Sequence, residues 1–357
     1  MIFVKKKFSE HYAQTELNVS DLTHREFGFG FKEKIDLRHK SFSSSKELNY
    51  FLVNETPLYI SYSLAHYRLP EAKPMPRKEF LNCDLVFDLD YAPLEFGLFS
   101  EEYVYCVKDS ALKIVEEYLP ELGFSQNEIE TNFSGQKGFH IHLETDAVKE
   151  LTSNARKELA EFVSVPEKEF FLNEAKIFGA REKKLFGPTS KDKGWKKKFF
   201  DYCINRLNQA SNEELVKLSR NKSILEQKEL LLENLSSGNW SAVKKTTFLW
   251  DAFYNEFAKQ SNVKLDIPVS TDLHRLIRLP DSLHGSTGFK AARLKLKDFS
   301  MNKIIAFSNK ACKIEATVDS SFKLIEDYSF KAGETREVPE FVAVFMECKK
   351  IATVKSF

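Results

Sequence analysis

The sequence predicts an α/β (α+β) body of mixed sheets interrupted by a long, mostly helical insertion. Three observations predict it. Short runs in which every second residue is apolar, such as Phe27–Phe31, Leu85–Leu89 and Phe139–Leu143, mark strands. Apolar residues at helical spacing occupy the stretches between them, as in Ser43–Val53. From about 148 to 257 the texture changes to long charged stretches with helical spacing, as in Asn212–Leu235. The α/β core is therefore expected over 1–147 and 258–357, and the insertion over 148–257.

Taken in order, residues 1–20 predict one helix around Phe8 and Tyr12. Phe27, Phe29 and Phe31, then Ile35 and Leu37, predict a pair of strands. Ser43–Val53 predicts a helix capped by its serine cluster. Leu58–Leu64 predicts a strand and Leu69–Pro76 a loop. Leu85–Asp90 predicts a strand, and Ala111–Leu119 a helix ended by Pro120. Ile129–Phe133 and Phe139–Leu143 predict strands around the turn Ser134–Gly138. Val263–Ile267 and Lys313–Val318 predict further strands, and Pro339–Ala352 a closing helix.

Composition excludes several classes. The chain has 357 residues with 42% hydrophobic and 29% charged, which excludes wholesale disorder. No stretch approaches ~18 consecutive apolar residues, so no spanning helix is expected. The lysine-rich start has no long apolar run after it, so no secretory signal is expected. The five cysteines are scattered without a CxxC pair, which fits a reducing cytoplasm rather than a disulfide framework. Lys and Arg total 53 against 52 Asp and Glu, which excludes a broadly basic coat but not a local basic cleft. The 32 Phe read as core material.

Three constellations carry chemistry. On the strand Leu85–Asp90, Leu85, Phe87 and Leu89 share one face. Asp88 and Asp90 share the other, ~6.6 Å apart. Two such carboxylates converge on hard divalent ions, although a solvated strand end also accounts for them. In Ser134–Leu143, Gly135 and Gly138 allow a tight turn with free N–H groups beside Lys137 and Ser134, a cradle for phosphate. His140 and His142 follow on one strand face, as ligand contacts or as core histidines. In Val263–Gly288, Asp266 is expected on a strand face. Ser270 is expected to cap a short helix bearing His274 and Arg278, followed by a glycine turn with His284. A solvated basic helix is the alternative there. Carboxylates for metal ions beside Lys, Arg and His for phosphates are what nucleotidyl transfer requires. The basic run Lys191–Lys198, with Trp195, reads as a DNA backbone contact or as a solvated helical face.

These segments, in this order, resemble the small catalytic subunit of archaeal and eukaryotic DNA primases, over nearly the whole chain. His24–Phe27 with Ile35–Phe42 is similar to the family's N-terminal signature, Leu85–Asp90 to its metal-binding strand, Ser134–His140 to its SGRRGxH loop, and Asp266–Gly288 to its third motif. The tail Val338–Phe345 is similar to archaeal members. The resemblance implies template-directed synthesis of short primers from nucleoside triphosphates on single-stranded DNA. It implies that Asp88, Asp90 and Asp266 hold two Mg²⁺ or Mn²⁺ ions. It further implies that Ser134, Lys137, His140, Arg278 and His284 grip the incoming NTP or dNTP, with Glu26 and Arg38 near the same pocket. A large iron–sulfur subunit is the implied partner, with no membrane contact and a cytoplasmic location expected. The alternatives are a related primase-polymerase that extends existing ends, and a non-catalytic nucleic-acid-binding subunit.

Two departures stand out. The loop carries Gln136-Lys137 where relatives carry two arginines, and a lysine binds phosphate without the bidentate fork. The stretch Tyr91–Asp109 holds only Cys106, so no structural zinc is expected there. Packing by Phe96, Phe99, Tyr103 and Tyr105 is expected to take its place.

Overall fold

The computed structural model describes residues 2–90, 98–176, 183–241, 243 and 246–356. The chain divides into two compact units, Met1–Ala160 with Lys264–Phe357, and Glu161–Val263. The strands are β1 (Phe27–Gly30), β2 (Leu37–Lys40), β3 (Tyr59–Ser63), β4 (Ala65–Tyr67), β5 (Phe80–Cys83), β6 (Leu85–Leu89), β7 (Ile129–Phe133) and β8 (Phe139–Leu143). They continue with β9 (Asn173–Lys176), β10 (Lys183–Phe186), β11 (Leu276–Arg278), β12 (Ala311–Ala316), β13 (Ser320–Leu324), β14 (Glu326–Phe330), β15 (Thr335–Pro339) and β16 (Ala352–Ser356).

Two sheets of the first unit position the site. One has the order β6-β8-β7, the other β11-β3-β1-β2, and the neighbours in both run antiparallel. Helices and sheets share this one unit, in keeping with the α+β reading. β8 is buried along its whole length, and β6 everywhere except Asp88. Phenylalanines fill the spaces around the sheets. Phe27, Phe29, Phe42 and Phe51 form one ring cluster. Phe133, Phe139, Phe289 and Phe299 form another. Each fully buried ring contributes about 2–3 kcal/mol from desolvation.

Three helices follow from local chemistry. α1 (Ile2–Gln14) is shorter than its expected span and buries Phe3, Val4, Phe8 and Tyr12. α2 (Ser45–Glu55) begins where the Ser44 hydroxyl accepts from the Glu47 N–H, and the Glu47 carboxylate accepts from the Ser43 N–H in return. α3 (Glu101–Lys113) starts at a Ser100 cap, ten residues before the expected helix, and continues through a widened turn at Ile114–Tyr118. Pro120 does not end it. It lies in the last turn, Leu119–Glu121, which closes as the Leu122 and Gly123 N–H groups donate to Leu119 O and Pro120 O.

Two expectations are corrected by turn chemistry. Val263–Ile267 is no strand. Pro268 opens a short helix, Ile267–Thr271, and Asp266 precedes it in an irregular stretch. The helix expected to carry His274 and Arg278 is also absent. Asp272 accepts from the His274 N–H at 2.9 Å and turns the chain, and Leu276–Arg278 then pairs with β3 as an edge strand. The Ser270 hydroxyl caps nothing and donates instead to Val86 O at 2.7 Å.

In the stretch expected to lack zinc, Phe96 lies outside the described residues. Phe99 packs on Phe289, Tyr105 on Phe299, and Tyr103 is buried. In the second unit, Trp240 packs against Phe199 and Trp250, with Phe253 and Phe257 beside them. Trp195, Phe199 and Phe200 are buried there, so the aromatics of the lysine-rich segment serve this core. Among the described residues no helix is long and apolar enough to cross a membrane.

Buried arginines tie the first unit together. Arg156, 1% exposed, donates to the carbonyls of Leu151, Asp84, Cys83 and Val148. The helix Ser153–Phe162 begins in the first unit, whose first segment ends at Ala160. Arg25 donates to Ser63 O, Leu64 O and the Asp84 carboxylate, which His66 also contacts. Arg156→Met leaves buried carbonyls unpaired and lowers the unfolding free energy by about 3 kcal/mol in urea denaturation. Burial raises the Asp84 pKa, but the His66 hydrogen bond and the Arg25 charge outweigh it and hold the group below its ordinary 3.8. That stability is present above the unfolded value and is lost as pH falls through the folded one. The stability gap between wild type and Asp84→Asn is therefore constant near neutral pH and narrows below about pH 4.

Candidate active site

β6 ends at the acidic side of a cleft of about 370 Å³. Alternation along the strand buries Phe87 and Leu89 and turns Asp88 to the other face. Asp88 pairs in register with His140 of β8. Its carboxylate is 14% exposed, and the His140 Nε2 lies 3.6 Å from Oδ1. Oδ1 is buried and has no hydrogen-bond partner. Burial, then the neighbouring Asp90 and Asp266, push the Asp88 pKa up to about 7. Asp90 follows the strand. Burial raises its pKa as well, although Lys137 and Lys34 pull the other way. The Lys137 ammonium is 4.0 Å from it. Asp266 arrives through its backbone, whose N–H donates to Asp88 O at 3.0 Å.

The facing wall is built from the β7–β8 turn and two later segments. In the turn, the Ser134 hydroxyl accepts from the Gly138 N–H at 3.0 Å, and the Ser134 N–H donates to Gly138 O at 2.9 Å. Two glycines are required by space. A Cβ on Gly138 would stand 2.1 Å from Leu89 O, and one on Gly135, at φ +85°, would stand 2.8 Å from the His284 Cβ. The turn is thereby pressed between the end of β6 and the His284 turn, and Thr287 fastens it by donating to Gly135 O at 2.6 Å.

Two of the cleft histidines, His140 and His284, are neutral donors. Burial holds both His140 and His284 well below the ordinary 6.5. The Ser286 N–H donates to His284 Nδ1 at 3.2 Å, which places the ring proton on Nε2. The Asn132 amide stands 3.4 Å from His140 Nδ1 and acts in the same sense. Arg278 supplies the positive charge. It lies over the Tyr59 ring at 5.2 Å, and burial lowers its pKa to about 10, which leaves it a cation at neutral pH. Arg38 adds a second guanidinium, whose Nε donates to the Glu26 carboxylate at 3.0 Å.

Of the residues singled out in the sequence, Asp88, Asp90, Ser134, His140, Arg278, His284 and Arg38 line this one cleft. Glu26 does not reach it: its side chain is wholly buried beneath Arg38. Lys137 stands at Asp90 rather than in the lining. Asp266 is exposed and acts on the site through its charge and its backbone bond. His142 shares the face of His140, one pleat repeat away, and is a core histidine whose Nε2 contacts Asn132 Oδ1 at 2.9 Å. The cleft also takes in His274 and Arg275 of the third segment, together with Lys34 and Asp272, which the motifs did not single out. Lys34 had a readable signal. Gly30 and Asp36 frame a tight loop in which Asp36 accepts from the N–H groups of Phe31 and Lys32, at 2.6 and 2.7 Å.

Among the described residues no group of three His, Cys, Asp or Glu side chains stands ready to hold a metal ion. The acidic pair still has the chemistry of a cation site. Asp88 has a buried oxygen without a donor, and two neighbouring carboxylates raise its pKa. A hard cation relieves both costs.

The profile of the family described as DNA primase small subunit matches residues 87–296, which hold the acidic strand, the glycine turn and the third segment. The DNA primase small subunit PriS of Methanosarcina acetivorans is 30% identical, over 98% of this chain and 95% of that one. That of Methanothrix thermoacetophila is 29% identical, over 99% and 98%. A solved polymerase domain of Mycobacterium tuberculosis Ligase D in complex with DNA aligns over 82% of this chain and 83% of that one, with 13% identity and a TM-score of 0.35. With a cleft built from the matched segments and relatives alike along nearly their whole length, the chain belongs to the DNA primase small subunit family.

Proposed function

We propose that this chain is the catalytic subunit of a DNA primase, which copies single-stranded DNA into short primers from nucleoside triphosphates. One observation carries the reading: a crowded carboxylate pair faces cations and neutral imidazoles across a single cleft. Nucleotidyl transfer needs that division, since charge on the triphosphate must be neutralised and the reacting oxygens positioned.

Asp88 and Asp90, with Asp266 beside them, would hold Mg²⁺ or Mn²⁺. Bound there, the ions would lower the pKa of the attacking 3′-hydroxyl and neutralise charge on the triphosphate. The chain's own groups do the rest. Arg278 and Arg38 meet phosphate oxygens with planar N–H edges. His140 and His284 donate from Nε2 without adding charge. The Ser134 turn offers backbone N–H groups, while Lys137 sits against Asp90 and guards the acidic side. Handing the primer on calls for a partner, and the reading assigns the iron–sulfur cluster to that large subunit.

The deciding experiment incubates the chain and its large subunit with single-stranded DNA, Mn²⁺ and triphosphates. New oligonucleotides begun from mononucleotides support the reading. Extension of existing ends without new starts assigns a primase-polymerase instead, and DNA binding without synthesis assigns a non-catalytic subunit. Asp88→Asn lowers synthesis at least about 10³-fold while the circular dichroism spectrum is kept. Mn²⁺ raises the thermal unfolding midpoint of the wild-type chain by mass action and leaves that of Asp88→Asn/Asp90→Asn unmoved.

A further inference from the structure

Lys78 is a buried lysine that neither the motifs nor the cleft lining accounts for. Its side chain is fully buried, as is that of Glu26, and its ammonium lies 3.6 Å from Glu26 Oε2. No acceptor stands at hydrogen-bond distance from it. It also lies over the Tyr67 ring at 5.4 Å, and the charges of Arg38 and Glu71 act on it from farther off. Burying a lysine this far costs several kcal/mol, so its place calls for a reason.

The reason is visible on Glu26. This carboxylate receives the Arg38 Nε at 3.0 Å and the His39 N–H at 3.2 Å, both on Oε1. His39 has a positive φ of 62°, a conformation in which its N–H meets that oxygen. The Arg38 Nη2 reaches Oε2 only loosely, at 3.4 Å. Lys78 stands on that same Oε2. Arg38 is 37% exposed and lines the cleft. Left alone, an arginine and a carboxylate close into a two-armed fork and cancel. Two cations on one carboxylate leave a net positive charge, and the more exposed of the two is Arg38.

We infer that Lys78 is a positioning residue: it occupies Glu26 from below and so keeps the Arg38 guanidinium edge and its charge available to the triphosphate. A second contact works in the same direction. The Tyr67 ring over which Lys78 lies holds His274, another cleft residue, through a 2.9 Å bond between its hydroxyl and Nδ1. The inference rests on the triphosphate reading of the cleft.

The test measures ATP binding by equilibrium titration, and steady-state synthesis on an oligo(dT) template with the large subunit present. Lys78→Met removes the charge from below, so Arg38 closes onto Glu26. Its KM and dissociation constant for ATP rise about tenfold, with kcat within about twofold. Lys78→Gln keeps a donor for Glu26, is the variant to read if the methionine chain does not fold, and shows a rise of at least about threefold. Glu26→Gln/Lys78→Met restores the net positive charge and brings both constants back to within about threefold of wild type. A merely structural role moves the thermal midpoint and leaves these constants alone. Unchanged ATP constants in the single variants, or a double variant as weak as Lys78→Met, overturn the inference. A wild-type chain without ATP affinity overturns the triphosphate reading along with it, which separates the two failures.

Discussion

The backbone ladder between β6 and β8 is the constraint on which the site depends. It sets Asp88 opposite His140 and Leu89 opposite Phe139. A slip of one residue would turn Asp88 into the phenylalanine core and Leu89 into the cleft. The ladder is short, and the chain reinforces it from outside. The third segment joins it by bonds from Asp266 N–H to Asp88 O and from the Ser270 hydroxyl to Val86 O. The turn Ser134–Gly138 closes on its end only because Gly138 has no side chain. The glycine turn with its strand and the third segment, far apart in sequence, thus become one site by attaching to the five-residue acidic strand.

Electrostatically, the cleft is assembled against the preference of its parts. Two carboxylates share a poorly solvated corner, two imidazoles are kept neutral, and an arginine is desolvated. None of this favours the empty fold. It suits a site whose ligands bring the missing charges, cations for the carboxylates and a polyanion for the guanidiniums. The stability this costs is offset where function makes no demand. There Arg25 and Arg156 satisfy buried carbonyls and a carboxylate on the far flank of the same sheet, and aromatic clusters fill the core.

Much of this was legible in the sequence, for a physical reason. Buried antiparallel strands write their pattern into the chain, so Ile129–Phe133 and Phe139–Leu143 are strands to the residue. The acidic strand and the glycine turn were legible because their chemistry demands particular residue types at fixed spacing. The residues of the third segment were legible too, but its local structure was not. Val263, Leu265 and Ile267 alternate, yet Pro268 favours a helix start over a strand. His274 and Arg278 stand at helical spacing, yet the Asp272 turn redirects the chain into an edge strand. Local turns decided both cases. Lys78 was hidden for another reason: its contact with Glu26 joins residues 52 positions apart, and a pattern within one segment cannot register it.

The account stands on the carboxylates of β6 and the cationic wall serving one ligand set. A crystal structure of the chain with Mn²⁺ and a non-hydrolysable triphosphate tests this most directly. The account predicts anomalous density for manganese at Asp88 and Asp90, with the triphosphate against Arg278, His284 and the Ser134 turn. Manganese elsewhere, or a triphosphate seated away from that wall while Asp88 stays unliganded, would contradict it.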